Sequence, residues 1–156
     1  MQEIRVVYNF KAGQEKVFAG LSDHVSFLST SRIHCVMKRT GAPDPNGNGA
    51  VRVVRNGKLC FEEEISAFNA PHSYQYRIIS LRGPFNLKLP LHHEFGHLEL
   101  HRLDQETQLV WTSRFYFSVP LINRWIEKKL GHSISATFLF FLKRLEARLA
   151  DASGRA

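Results

Sequence analysis

The stretch LHHEFGHLELH, from Leu91 to His101, can be read as a helix or as a strand, and the two lead to different folds. It contains His93-Glu94-Phe95-Gly96-His97, which matches H-E-x-x-H, the zinc-binding pattern of metalloproteases. That pattern works on a helix, where residues four apart share a face and the glutamate serves as general base. The periodicity here is two. Glu94, Gly96, Leu98 and Leu100 fall on one parity, and His93, Phe95, His97, Glu99 and His101 on the other. Pro90 precedes the stretch and Gly96 interrupts it, and both disfavour a helix. On a strand His93 and His97 stand about 13 Å apart, at about 3.3 Å per residue, whereas zinc–nitrogen bonds are about 2.0–2.1 Å. A third histidine at the extended spacing would fall on Leu103, which cannot bind a metal. The stretch is expected to be a strand, with no metal and no cofactor.

The segments on either side continue the strand pattern. Thr107 to Val119 pairs with it as a hairpin around Asp104-Gln105-Glu106, with Leu109, Trp111, Ser113, Phe115 and Phe117 on one face. Pro120 ends the strands. Upstream, APHSYQYRIISL reads as a strand, and RGPFNLKLPL, with two prolines, as a connection. Asn56-Gly57 divides AVRVVRNGKLCFEEEISAF into two strand-like runs, a strong hairpin signal. With Asn56-Gly57 as the turn, Arg52, Val54, Leu59, Phe61, Glu63 and Ile65 share the more apolar, inward face. Val51, Val53, Arg55, Lys58, Cys60, Glu62 and Glu64 share the other. Arg52 then lies diagonally across from Glu63, within reach of long side chains.

Both ends of the chain hold helical patterns. After a first strand at Glu3–Phe10, QEKVFAGLSDHVSFL places Val17, Phe18, Leu21, Val25 and Leu28 at three- and four-residue steps, with a break at Ser22-Asp23. A strand follows at Ile33–Arg39, then the loop TGAPDPNGNG. From Leu121 to Leu149 the period becomes helical through Ile122, Trp125 or Ile126, Leu130, Ile134, Phe138, Phe141 or Leu142, Leu145 and Leu149, with Gly131 as a point of weakness. The result is α+β: one curved antiparallel sheet of about seven strands around a long C-terminal helix, with two short helices after the first strand. Residues 1–150 form one domain, and 151–156 a frayed tail.

Composition narrows the function. The 156 residues are 44% apolar and 22% charged, ordinary for a globular chain, with 12 phenylalanines to fill or line an interior. No apolar run is long enough to span a membrane, and the N-terminus lacks the apolar core of a signal peptide. Cys35 and Cys60 match no metal spacing, so a reducing, cytoplasmic setting is expected. The net charge of +7 invites nucleic acid. Its lysines and arginines are scattered, however, and Lys128, Lys129, Lys143, Arg144 and Arg148 fit a solvated helix face. Nucleic acid is not the expected partner.

Several strings, in order, resemble the START/polyketide-cyclase superfamily (SRPBCC), whose helix-grip fold is shared with the major birch-pollen allergen. NFKAGQEKVFAGLSDHVSFL looks like its opening, GAVRVV like its Gly-x-x-Arg strand, and CFEEEISAFNAPHSYQYRI like its Glu-x-Ile … Pro … Tyr-Arg hairpin. ETQLVWTSRFYF looks like its Gly-Thr-x-Val-x-Trp strand, with Glu106 where glycine is usual. The resemblance implies a cavity between sheet and C-terminal helix that binds a lipid, quinone or polyketide-like aromatic. A cyclase or dehydratase acting in the same cavity is the alternative, and a protein-interaction module of the quinone-chaperone or ribosome-associated kind a further one. No family-wide catalytic motif carries over. The residues expected to line the cavity are Arg52, Phe61, Glu63, Ile65, Tyr74, Tyr76, Leu98, Leu100, Trp111, Phe115, Ile134, Phe138 and Phe141, with Glu94 as a third polar group or at the rim. Arg52 and Glu63 either satisfy each other as a buried pair or anchor a ligand's polar group. Glu63 is the best candidate for a catalytic base.

Overall fold

The computed structural model describes residues 1–118 and 124–154, with the backbone alone for 124–127. The elements are β1 (Gln2–Phe10), α1 (Gln14–Ser22), α2 (His24–Leu28), β2 (Ile33–Arg39), β3 (Val51–Asn56), β4 (Leu59–Asn69), β5 (Ser73–Arg82), a 3-10 turn (Pro84–Asn86), β6 (Leu91–Leu103), β7 (Glu106–Phe117) and α3 (Arg124–Gly154). The seven strands form one antiparallel sheet in the order β1-β7-β6-β5-β4-β3-β2, and α3 packs against β1, α1 and α2. This is the helix-grip arrangement. LHHEFGHLELH lies inside β6, so His93 and His97 cannot share a metal as they would on a helix. Pro120, Ile122 and the Trp125 and Ile126 side chains lie outside the described residues. The helix runs on to Gly154, four residues into the segment read as a tail.

The β3–β4 turn differs from expectation by one residue. Gly57 and Lys58 form it, Gly57 taking the left-handed φ of 59° that glycine adopts without a Cβ clash, and Asn56 pairs with Leu59 as the last strand residue. Each partner therefore shifts by two. Arg52 stands directly opposite Glu63 instead of diagonal to it, and Val54 opposite Phe61. A shift of two preserves the faces, so the inward set is unchanged. Val51 and Val53, on the outer face, are nevertheless buried. Lys38 and Arg39 on β2 reach across β3, where the valines stand, to pair with Glu62 and Glu64 on β4.

A second difference lies in α2. Asp23 starts this helix afresh, its carboxylate accepting the Ser26 N–H as an N-cap. The apolar phase restarts with it, so His24, Phe27 and Leu28 turn inward, while Val25, expected in the core, is exposed. Arg144 and Arg148, expected on a solvated face, donate to the Phe27 and Ser26 carbonyls near the end of α2. There they tie α3 to α2 and meet the negative end of that helix.

Candidate functional site

The two ends of the sheet are built differently. At one end lie Phe10, Thr107 and the beginning of β5, closed over by α1, α2 and the C-terminal half of α3. Phe10, Val17, Leu21, Leu109 and Leu142 are fully buried here. At the other end lie the beginnings of β4 and β6 and the ends of β5 and β7. The inward apolar residues Phe61, Ile78, Leu91 and Phe117 are only half-buried here, as is Ile134 on α3. β5 and β6 also part at this end. They pair only from Ser73↔Glu99 to Tyr76↔Gly96, and beyond that lies a cleft of about 700 Å³, lined by Ile78, Leu89, Leu91, His92, His93 and Tyr116.

A buried polar network occupies the concave face between these ends. Arg52 is 2% exposed. Its Nε donates to Glu63 Oε2 at 2.7 Å, its Nη1 to His24 Nδ1 at 2.8 Å, and its guanidinium lies 5.0 Å from the Tyr76 ring centroid. It also bonds the Tyr74 hydroxyl. Burial opposes the arginine's charge, but Glu63 and the two tyrosines keep it protonated. Because Arg52 can only donate, His24 Nδ1 must accept, and His24 Nε2–H donates to the Asn46 carbonyl at 2.8 Å. His24 is thus neutral. Burial, with Arg52's charge added, pushes it down to about 3.

The network continues along β6. Gly96 pairs with Tyr76 on one side and Ser113 on the other, and a Cβ there would collide with the Tyr76 ring. The glycine lets that ring lie over β6, where its hydroxyl accepts the Trp111 Nε1–H at 3.3 Å. His93 stacks on Tyr76 with centroids 5.4 Å apart. Its Nδ1 accepts the Ile78 N–H at 3.0 Å, which the parted strands would otherwise leave unpaired. The ring proton therefore sits on Nε2, which donates to Ser113 Oγ at 3.1 Å. Burial pushes His93 down to about 4.

The expected site residues divide into groups. Arg52, Glu63, Tyr74, Tyr76 and Trp111 come together in the network. Phe61, Phe115 and Ile134 lie toward the open end. Ile65, Leu98, Leu100, Phe138 and Phe141 belong to the packed core, with Phe138 stacked on Trp111 at 3.7 Å. Glu94 is a correction as an inward polar group: it is exposed, pairs with Arg114, and borders the cleft at its rim. A bulge between His93 and Phe95 makes Glu94 the extra residue, turning it out and His93 in. His24, His93 and Ser113 were missed as site residues. His24 was recoverable by restarting the helical phase at Asp23, and Ser113 already sat on the inward parity. No period-two pattern reveals the bulge that turns His93.

A family model described as polyketide cyclase / dehydrase and lipid transport matches residues 1–150. The chain belongs to this family. Solved structures with the same fold include the Zhui aromatase/cyclase from Streptomyces sp. R1128, at 15% identity and a TM-score of 0.73, covering 95% of each chain. Another is TTHA0849 from Thermus thermophilus, at 15% identity and 0.69, covering 97% of this chain and 99% of that one. Ara h 8.0201 is similar at 12% identity and 0.69, covering 96% and 98%. At these identities the likeness shows the fold alone. No curated protein matches the chain. Among the described residues of this polyketide cyclase / dehydrase family member, no helix is long and apolar enough to cross a membrane.

Proposed function

We propose that the protein binds an apolar small molecule on the concave face of the sheet, under the N-terminal half of α3. The molecule's polar end would face the Arg52–Glu63–Tyr76 network. The observation that carries this is the contrast on one surface. A charged network with Arg52 2% exposed adjoins inward apolar side chains, Phe61, Ile78, Leu91, Phe117 and Ile134, that remain half-buried. Apolar walls with a few convergent polar groups are the usual make-up of a ligand site. Native mass spectrometry of freshly purified protein, with displacement of an apolar fluorescent probe, tests it. A co-purified apolar mass or saturable probe binding, lost in Ile78→Trp, is expected; neither, at any probe concentration, would sink the proposal.

The second reading is a cyclase or dehydratase. Favouring it, Glu63 Oε2 is held by Arg52 while Oε1 bonds none of the described residues. A positioned carboxylate oxygen with a free lone pair can take a proton from carbon next to a carbonyl. The family description and the aromatase/cyclase with the same fold agree with that chemistry. Incubation with a linear poly-β-ketone thioester should give a water-loss product that Glu63→Gln abolishes. An unchanged substrate would leave binding alone.

A further inference from the structure

Two buried hydroxyls on the concave face each accept one hydrogen bond and keep their own protons free. Trp111 Nε1 can only donate, so the Tyr76 oxygen must accept, and its own O–H has no acceptor among the described residues. Ser113 is in the same position. His93 Nδ1 is taken by the Ile78 N–H, so Nε2 carries the proton and the Ser113 oxygen accepts it. The Ser113 proton likewise meets no acceptor among the described residues. Each residue is 3% exposed. Buried donors are normally satisfied, so two free ones on one face call for a missing partner.

The sheet brings the two together. Tyr76, Gly96 and Ser113 lie in one row across β5, β6 and β7. The Tyr76 ring crosses the bare Gly96 position toward Ser113. Strand spacing puts the two backbones about 10 Å apart, and a tyrosine's length covers more than half of that. The accepted bonds from Trp111 and His93 hold both oxygens in place.

We infer that Tyr76 and Ser113 form a two-donor site for a carbonyl or enolate oxygen on an otherwise apolar ligand. An ammonium on the ligand has no lone pair to offer either proton. A ketone, quinone or enolate oxygen, with two lone pairs, satisfies both protons. The carbon skeleton would lie against the half-buried Ile78 and Leu91. This rests on the proposed apolar-ligand site and specifies its ligand class.

The test compares 2-acetylnaphthalene with 2-ethylnaphthalene, which has the same shape but lacks the oxygen. Wild-type protein should prefer the ketone by about tenfold or more, as one or two hydrogen bonds supply. Tyr76→Phe and Ser113→Ala should each remove most of that preference while still binding 2-ethylnaphthalene. A readout independent of stability is the infrared stretch of 13C-labelled carbonyl in the bound ketone. It should be lowered in wild type and move back up in Tyr76→Phe. Equal affinity for both probes, or a carbonyl stretch unmoved by either substitution, overturns the two-donor site and leaves apolar binding intact. Failure to bind either probe overturns the underlying site as well.

Discussion

The closed and open ends of this sheet use the same kinds of residue to different effect. At the closed end Phe10, Phe27, Leu142 and Leu145 are sealed between sheet and helices. At the open end Phe61, Ile78, Leu91, Phe117 and Ile134 point the same way yet keep part of their surface uncovered, and two strands separate. The fold's hydrophobic free energy is thus concentrated at one end, which leaves the other free to vary in what it covers. The polar network stands at the boundary. Substitutions should therefore divide into those that unfold the protein and those that change what it holds.

The largest effect should come from the closed end. Phe27 packs against Trp111 and Phe141 with centroids 6.0 Å and 5.7 Å away, and is 1% exposed. Phe27→Ala should cost about 3–5 kcal/mol in denaturant unfolding. A loss below about 1 kcal/mol would mean that this end is not the anchor.

The boundary comes next. Arg52→Met strands the Glu63 carboxylate and leaves His24 Nδ1 without its donor. The cost should be about 3 kcal/mol, the low end for breaking a buried pair, because the Glu63 side chain keeps 12% of its surface exposed. Arg52→Met with Glu63→Leu should recover much of it. Strong coupling in stability with no change in probe affinity would mark the pair as purely structural. Additive losses would show that the two side chains do not depend on each other.

The element order, both short helices, the seven strands and the inward face of the C-terminal helix from Ile134 onward were legible in the sequence, because period and turn residues dictate them. Arg52 and Glu63 were legible for the same reason: parity survives a two-residue shift in pairing, so misplacing the turn by one residue changed their geometry without changing their face. Glu94 and His93 were not, because one inserted residue exchanges inside for outside and leaves no trace in composition. Val25 and His24 failed through a related cause, a helical phase carried across a cap that resets it. What the sequence could not convey at all is the pattern of free protons on Tyr76 and Ser113. That depends on which partner each oxygen accepts, and so on three strands and a glycine acting together.

Acid should weaken the boundary and the open end before the closed end. His24 and His93 are held neutral, at about 3 and about 4, against about 6.5 in an unfolded chain. Between those values the unfolded chain binds more protons than the folded one, so stability rises with pH. The contribution is complete above about pH 6.5 and is lost as pH falls toward 4 for His93 and toward 3 for His24. At pH 5 the loss should be about 2 kcal/mol for each histidine. His93→Gln, which can still accept from Ile78 and donate to Ser113, should flatten the stability–pH slope between pH 6.5 and 5 by about half. An unchanged slope would mean that His93 is not held neutral by the fold.

The smallest effect on stability should accompany a clear effect on binding, at Ile134. This residue lies on α3 four positions before Phe138, which stacks on Trp111. Ile134 is half-buried and packs against the core without being enclosed by it. Removing its side chain beyond Cβ forfeits only the fraction of apolar area already covered, so Ile134→Ala should cost about 1 kcal/mol. Phe138→Ala, one turn further toward the closed end, should cost more because its stacked partner loses a full face. If the open end is a ligand site, Ile134→Ala should also shift the affinity of an apolar fluorescent probe several-fold, since it alters a wall and not a support. A loss as large as that of Phe27→Ala would place Ile134 in the sealed core and move the boundary between the two ends toward the N-terminus of α3. A small loss with unchanged probe binding would leave the half-buried residues at this end as an unfilled edge of the core, with the binding site elsewhere.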